Sequence, residues 1–436
     1  MGASMAYDVR QTMLVLGFLS YLGFDEIERG VKGDTHVFRL LQRALDAVPG
    51  LDRRWKLVWG PASRRFAFTI FAQNLMFVVR DERDPTHLVV VVRGTNPVSP
   101  VNWLVEDFSI ARLERWPYAH DDASARVSMG TLIGLGELQA MRPGAGLPGS
   151  GASLHELLID EVRAARGARV KVSVVGHSLG GALAPAVGLW LEDTRTASDV
   201  PGLRPWDPER RADVHVFSFG GPTPGNRGFA ARYDALLGAR THRVWNPLDP
   251  VPHGWERETV ARLPRLYEPK IRVDVLIDLV FRVTGHLSHD GDYRHVTGSA
   301  PSIEGARLHP SFARFWTQML YQHSLAYLDL FGVLGHVPLA DHLPWSPAMR
   351  ARVAEVEGEA VVLEREVASE IERDEVRVAG RIARGLSRLV QIPASVLVHA
   401  LPAHLPLASL MLRGAHHEAQ PRVEAPVVSG ATPRAA

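Results

Sequence analysis

The stretch Val170-Lys171-Val172-Ser173-Val174-Val175-Gly176-His177-Ser178-Leu179-Gly180-Gly181 decides the architecture. Val170 to Val175 is a β-branched apolar run and predicts a strand. Ser178 to Leu191 is rich in Ala and Leu and predicts a helix. The turn between them fits G-x-S-x-G. A serine hydroxyl is a weak nucleophile, so it must project from a sharp turn toward a base. Glycines on either side let strand and helix pass close together. The amide after the serine then faces a developing oxyanion, and the helix N-terminus favours negative charge there. The bare pattern also arises by chance as a glycine turn. Strand before and helix after make Ser178 a candidate nucleophile.

Working outward, residues 56–93 read as strands. The β-rich runs are Ala67 to Ala72, Leu75 to Val79 and Leu88 to Val92, the last apolar throughout as in a strand covered on both faces. A helix is expected over roughly 151–166, a strand over Val214 to Phe219, and a short strand over Arg243 to Trp245. Strand–helix alternation predicts an α/β fold with a mainly parallel sheet. Upstream, Met13 to Phe24 is apolar enough for an export signal. Its acidic flanks and the helical spacing of Leu14, Phe18, Tyr21 and Leu22 favour an N-terminal core helix instead.

The whole chain has 436 residues, 46% of them hydrophobic and 22% charged. That is ordinary globular material and excludes global disorder. A net charge of +1 gives no field for nucleic acid. The absence of Cys excludes disulfide scaffolds, Cys-ligated metal and thiol nucleophiles. No cofactor or metal is expected; His286, His289, Asp290, Asp292 and His295 cluster, but at a spacing that fits no standard site. The character changes near residue 341. Ser346-Pro347 starts a helix, and Met349, Val353, Val356, Ala360, Leu363 and Val367 form a heptad-like stripe. Acidic residues crowd Glu355 to Glu375, and Arg377, Arg381, Arg384 and Arg388 follow. Leu389 to Leu412 is uncharged but carries three prolines. This region reads as helical to about 415, with a disordered tail over 416–436. Packing on the body, lying on an anionic membrane surface and spanning a bilayer all stay open for it.

A serine nucleophile needs a base and an orienting acid. Asp249, within Arg243-Val244-Trp245-Asn246-Pro247-Leu248-Asp249-Pro250-Val251-Pro252, stands just past a short strand. By itself it reads equally as an Asp–Pro turn former. The candidate bases after it are His253, His286, His289, His295, His309, His323, His336 and His342.

Four blocks in order resemble the class 3 lipase family of α/β-hydrolases, which includes fungal-type triacylglycerol lipases and plant phospholipases. They are Val91-Val92-Arg93-Gly94-Thr95, Gly176 to Ala182, Phe217 to Asn226, and Arg243 to Pro252. Tyr293 to Gly298 is a looser match. The resemblance implies an α/β-hydrolase fold with a mainly parallel central sheet, over about residues 1–340, carrying an insertion at about 255–292; the helical region over 341–415 is unlike the family core and reads as a C-terminal extension. It implies Asp249 as triad acid, Thr95 and Leu179 as oxyanion donors, and a lid near Trp103, Leu104 and Val105. The family's His is followed closely by an aromatic, which selects His323 in Tyr321-Gln322-His323-Ser324-Leu325-Ala326-Tyr327, with His309 as runner-up. The segment Ile271 to Phe281 is a second lid candidate, or else a packed helix. Two departures put local packing in doubt: Glu106 stands at the offset of the family's Asp, with Asp107 one later, and Val127 to Thr131 lacks the family's His and Phe.

The implied function is a serine carboxylester hydrolase, first a lipase on acylglycerols, with phospholipase A1 or short-chain esterase as alternatives. A hydrolase-fold binding or scaffolding protein acting through its C-terminal helices is the alternative of another class. The expected partner is a lipid or ester substrate at a lipid–water interface, with peripheral membrane contact and no nucleic acid. With no clear signal peptide, a cytoplasmic or peripheral membrane location is the expectation, and non-standard export the alternative.

Overall fold

A computed structural model describes residues 6–23, 33–65, 73–94, 112–119, 121–196, 203–273, 275–298 and 303–338. In chain order the strands are β1 (Trp55–Arg65), β2 (Gln73–Asp81), β3 (His87–Val92), β4 (Leu113–Arg115), β5 (Arg126–Ser128), β6 (Val170–His177), β7 (Ala212–Phe219) and β8 (Thr241–Val244). All but β4 and β5 join one sheet, ordered β1-β2-β3-β6-β7-β8. The pairings β3–β6, β6–β7 and β7–β8 are parallel, while β1–β2 and β2–β3 are antiparallel. The sheet is thus mainly parallel, with an antiparallel edge. The run Ala67 to Ala72 lies outside the described residues. One edge strand is β1, which Gly60 and Pro61 disguise in the sequence. An edge strand tolerates proline, because one side of it has no ladder to supply.

The helices are α1 (Val9–Leu19), α2 (Asp34–Ala47), α3 (Met129–Ala140), α4 (Leu154–Ala164), α5 (Leu179–Asp193), α6 (Arg227–Leu237), α7 (Arg257–Val260), α8 (Val275–Ser288), α9 (Phe315–His323) and α10 (Leu325–Leu330). They cover both sheet faces, and strand side chains alternate between two cores. Leu88, Val90, Val92, Val172 and Val174 face one core with α5, while Val89, Val91 and Val175 face the other with α1. This is why β3 reads as continuously apolar. Helix α1 is capped by Asp8, whose side chain accepts from Gln11 N while the Gln11 side chain accepts from Asp8 N. Met13 to Leu19 are all buried. The apolar N-terminal stretch is therefore a core helix, as its periodicity predicts.

The block Val127 to Thr131, which lacks the family's His and Phe, is the end of β5 and the cap of α3. Ser128 Oγ accepts from Thr131 N at 3.0 Å and donates to Thr131 Oγ1 at 2.8 Å. The segment after residue 254 packs against the loop that bears Asp249. Tyr267 Oη donates to Leu248 O at 2.9 Å, and the rings of Tyr267 and Phe281 both pack against Phe315, the first tilted and the second edge-on. Ile277 and Phe281 of α8 are buried, so this helix packs on the body. The C-terminal region 341–436, its helical stripe and its tail lie outside the described residues. Among the described residues no helix is long and apolar enough to cross a membrane.

Candidate active site

Strand β6 ends and α5 begins at Ser178, whose backbone sits at φ 62°, ψ −128°. A non-glycine residue there is strained, and the surroundings must hold it. They do so by close packing. A Cβ at Gly176 would lie 2.1 Å from Gly180 O, and one at Gly180 would lie 2.3 Å from Val92 O. The Ser178 N–H donates to Phe219 O at 3.0 Å, tying the turn to β7. The Leu179 N–H opens α5, in the first turn, where no helical carbonyl is available to it. Thr95 and the lid candidates Trp103, Leu104 and Val105 lie outside the described residues.

The three residues singled out from the sequence meet in one buried cluster. His323 Nε2 is 2.9 Å from Ser178 Oγ. His323 Nδ1 is 2.8 Å from Asp249 Oδ2 and 3.0 Å from Oδ1. A carboxylate only accepts, so the imidazole proton sits on Nδ1, and Nε2 presents its lone pair to the serine hydroxyl. Other donors hold Asp249. Tyr327 Oη donates to Oδ2 at 2.7 Å and Val251 N to Oδ1 at 3.0 Å. Burial, then the Asp249 charge, push the Tyr327 phenol well above its ordinary value, so it stays a donor. The Asn246 N–H donates to Tyr327 Oη at 3.1 Å, and Asn246 Nδ2 donates to Gln322 Oε1 at 2.6 Å. The acid loop is thus tied to α9 one residue before His323.

His309 is elsewhere. Its ring packs on Phe312 and Tyr321, and its Nδ1 accepts from Ser311 N at 3.2 Å. His295 is buried beside Arg243 and Glu256, and Asp292 pairs with Arg227. No group of three or more His, Cys, Asp or Glu able to hold a metal occurs among the described residues.

Residues 89–257 match the family model described as lipase (class 3). Over those residues the chain is similar to class 3 lipases. The lipase fold extends well beyond that match. A solved structure titled M37 lipase is 28% identical, with a TM-score of 0.70, and the match covers 80% of this chain and all of that one. Phospholipase A1 EG1 of Oryza sativa subsp. indica is 32% identical over 170 residues, which is 38% of this chain. This chain spans 35% of the length of that curated relative.

The sequence alone does not single out Asn246, His177 or Tyr21 as parts of this site. In the sequence Asn246 is one residue of the Arg243 to Pro252 block, and its polar ties become visible once α9 is in place. Tyr327 was legible as the aromatic four residues after His323.

Proposed function

We propose that the lipase domain is a serine ester hydrolase acting on lipid esters, with acylglycerols as the first substrate class. The single observation that carries this is the alignment of Ser178 Oγ, His323 and Asp249 at 2.9 and 2.8 Å, with the serine on a strained turn at a helix start. Ser178 Oγ attacks the ester carbonyl while His323 Nε2 takes its proton. Asp249 holds the tautomer and offsets the imidazolium charge. The Leu179 N–H, with Thr95 as its partner, receives the oxyanion. The imidazolium returns its proton to the leaving alcohol, and water then cleaves the acyl-enzyme by the same route. No step calls for a cofactor. A lid at Trp103 to Val105 and contact with a lipid–water interface belong to the same reading.

Phospholipase A1 activity is the second reading, favoured by the 32% identity to the rice protein of that name. A fluorophosphonate probe tests the common chemistry: the wild type is labelled and Ser178→Ala is not. A folded wild type that stays unlabelled overturns the proposal. A panel of p-nitrophenyl esters, triacylglycerols and phospholipids then separates the two readings.

A further inference from the structure

Two buried groups beside the triad take no part in the reaction as written: His177 and Tyr21. His177 stands one residue before Ser178, with its ring against those of Phe18, Tyr21, His323 and Tyr327. Its Nε2 is 2.7 Å from the main-chain oxygen of His323, and its Nδ1 is 2.9 Å from Tyr21 Oη. A carbonyl only accepts, so Nε2 carries the proton. Burial, then the neighbouring His323, hold His177 well below the ordinary histidine value, in its neutral form. A neutral imidazole has one N–H, so Nδ1 is bare and the Tyr21 hydroxyl donates to it. The direction of both hydrogen bonds follows: Tyr21 O–H to His177 Nδ1, and His177 Nε2–H to His323 O.

The final acceptor matters. His323 is the last residue of α9, and Ser324 departs from helical backbone at φ −126°, ψ −84°. Carbonyls at a helix end lack helical partners. His177 donates to the carbonyl of His323, the residue whose ring must face Ser178. Asp249 fixes the Nδ1 edge of that ring, but the place of its Cα depends on the main chain. Tyr21 stands two residues after the end of α1, so the first helix of the fold reaches the base through two hydrogen bonds.

We propose that Tyr21 and His177 are positioning residues, a two-bond relay that holds the His323 main chain and keeps its Nε2 in line with Ser178 Oγ. Without the Tyr21 hydroxyl, His177 is free to carry its proton on Nδ1, which turns a lone pair toward His323 O and pushes that peptide away. The relay rests on the reading of Ser178 and His323 as nucleophile and base. No group is transferred through it.

The test measures kcat and KM on a soluble p-nitrophenyl ester, with thermal unfolding, for Tyr21→Phe, His177→Leu, His177→Gln and Ser178→Ala. Tyr21→Phe and His177→Leu should lower kcat about tenfold or more and leave KM within about twofold. His177→Gln, whose side-chain amide can donate to His323 O, should recover most of the kcat lost in His177→Leu. Folded Tyr21→Phe with kcat near wild type overturns the relay. Equal loss in His177→Leu and His177→Gln also overturns it, since packing alone would then explain the effect. If His177→Leu does not fold, Tyr21→Phe decides, because it removes one oxygen and keeps the ring. Activity surviving in Ser178→Ala overturns the nucleophile reading and the relay with it. An inactive Ser178→Ala beside unaffected Tyr21→Phe overturns the relay alone.

Discussion

At the scale of single residues, Ser178 holds a backbone conformation that glycine adopts freely and serine does not, at φ 62°. Such strain costs about 1–3 kcal/mol. Ser178→Gly should therefore raise the thermal midpoint while abolishing probe labelling, and a lowered midpoint would count against stored strain. Asp249 makes a second case. Asp249→Asn leaves the packing intact but disturbs the tautomer of His323, so kcat should fall by about 10,000-fold. Tyr327→Phe removes one of the donors to Asp249 Oδ2, and a fall of about tenfold is expected, read on the same soluble ester. His309→Ala, in contrast, should keep near wild-type kcat, because its ring packs on Phe312 and Tyr321. Ser178 is legible in the sequence because its requirement is local: a strand, a tight turn and a helix in a dozen residues. The base is not local. Twelve histidines follow Asp249, and only a resemblance to a family pattern separates His323 from the rest.

At the scale of elements, α5 carries a proline in its interior, Pro185. Proline has no N–H, so the carbonyl four residues earlier loses its helical donor. That carbonyl is Gly181 O, and Ser218 Oγ of β7 donates to it at 2.6 Å. The phrase Phe217-Ser218-Phe219 thus serves the helix behind the nucleophile. Ser218→Ala should destabilise the fold by about 1–3 kcal/mol, measured by urea unfolding, because it leaves a buried acceptor unpaired. An unchanged urea midpoint would show that α5 needs no such donor. The first helix, α1, is read correctly as core from its periodicity, and Leu16 within it is fully buried. Strand β1 is hard to read for the opposite reason: its Gly60 and Pro61 mimic a break, and only its place at the sheet edge makes them acceptable.

At the scale of the molecule, buried neutral histidines set the response to acid. Burial lowers His177, His253 and His295, and lowers His87 to about 4. The unfolded chain takes up protons on these groups near pH 6.5, while the folded chain resists. Below that pH the unfolded state binds more protons, so stability falls as pH drops. For His87 the loss between pH 6.5 and 4 is about 3 kcal/mol. Urea midpoints should therefore decline steadily from pH 7 to pH 4.5, and a flat profile would contradict the burial of these rings as neutral bases.

What the sequence by itself determines is whatever repeats or turns over short distances. The apolar runs specify strands covered on both faces, the alternation of strands and helices specifies an α/β sheet, and G-x-S-x-G specifies a turn with a serine at its tip. Tertiary structure alone decides which distant groups meet. His323 reaches Ser178 from 145 residues away, and Tyr21 reaches His177 from 156 residues away on the other side. No periodicity records such pairings, because they depend on how two layers of helices close over the sheet faces. Once those layers are packed and water is excluded, each buried donor must find an acceptor, and the polar groups around Ser178 settle into one arrangement.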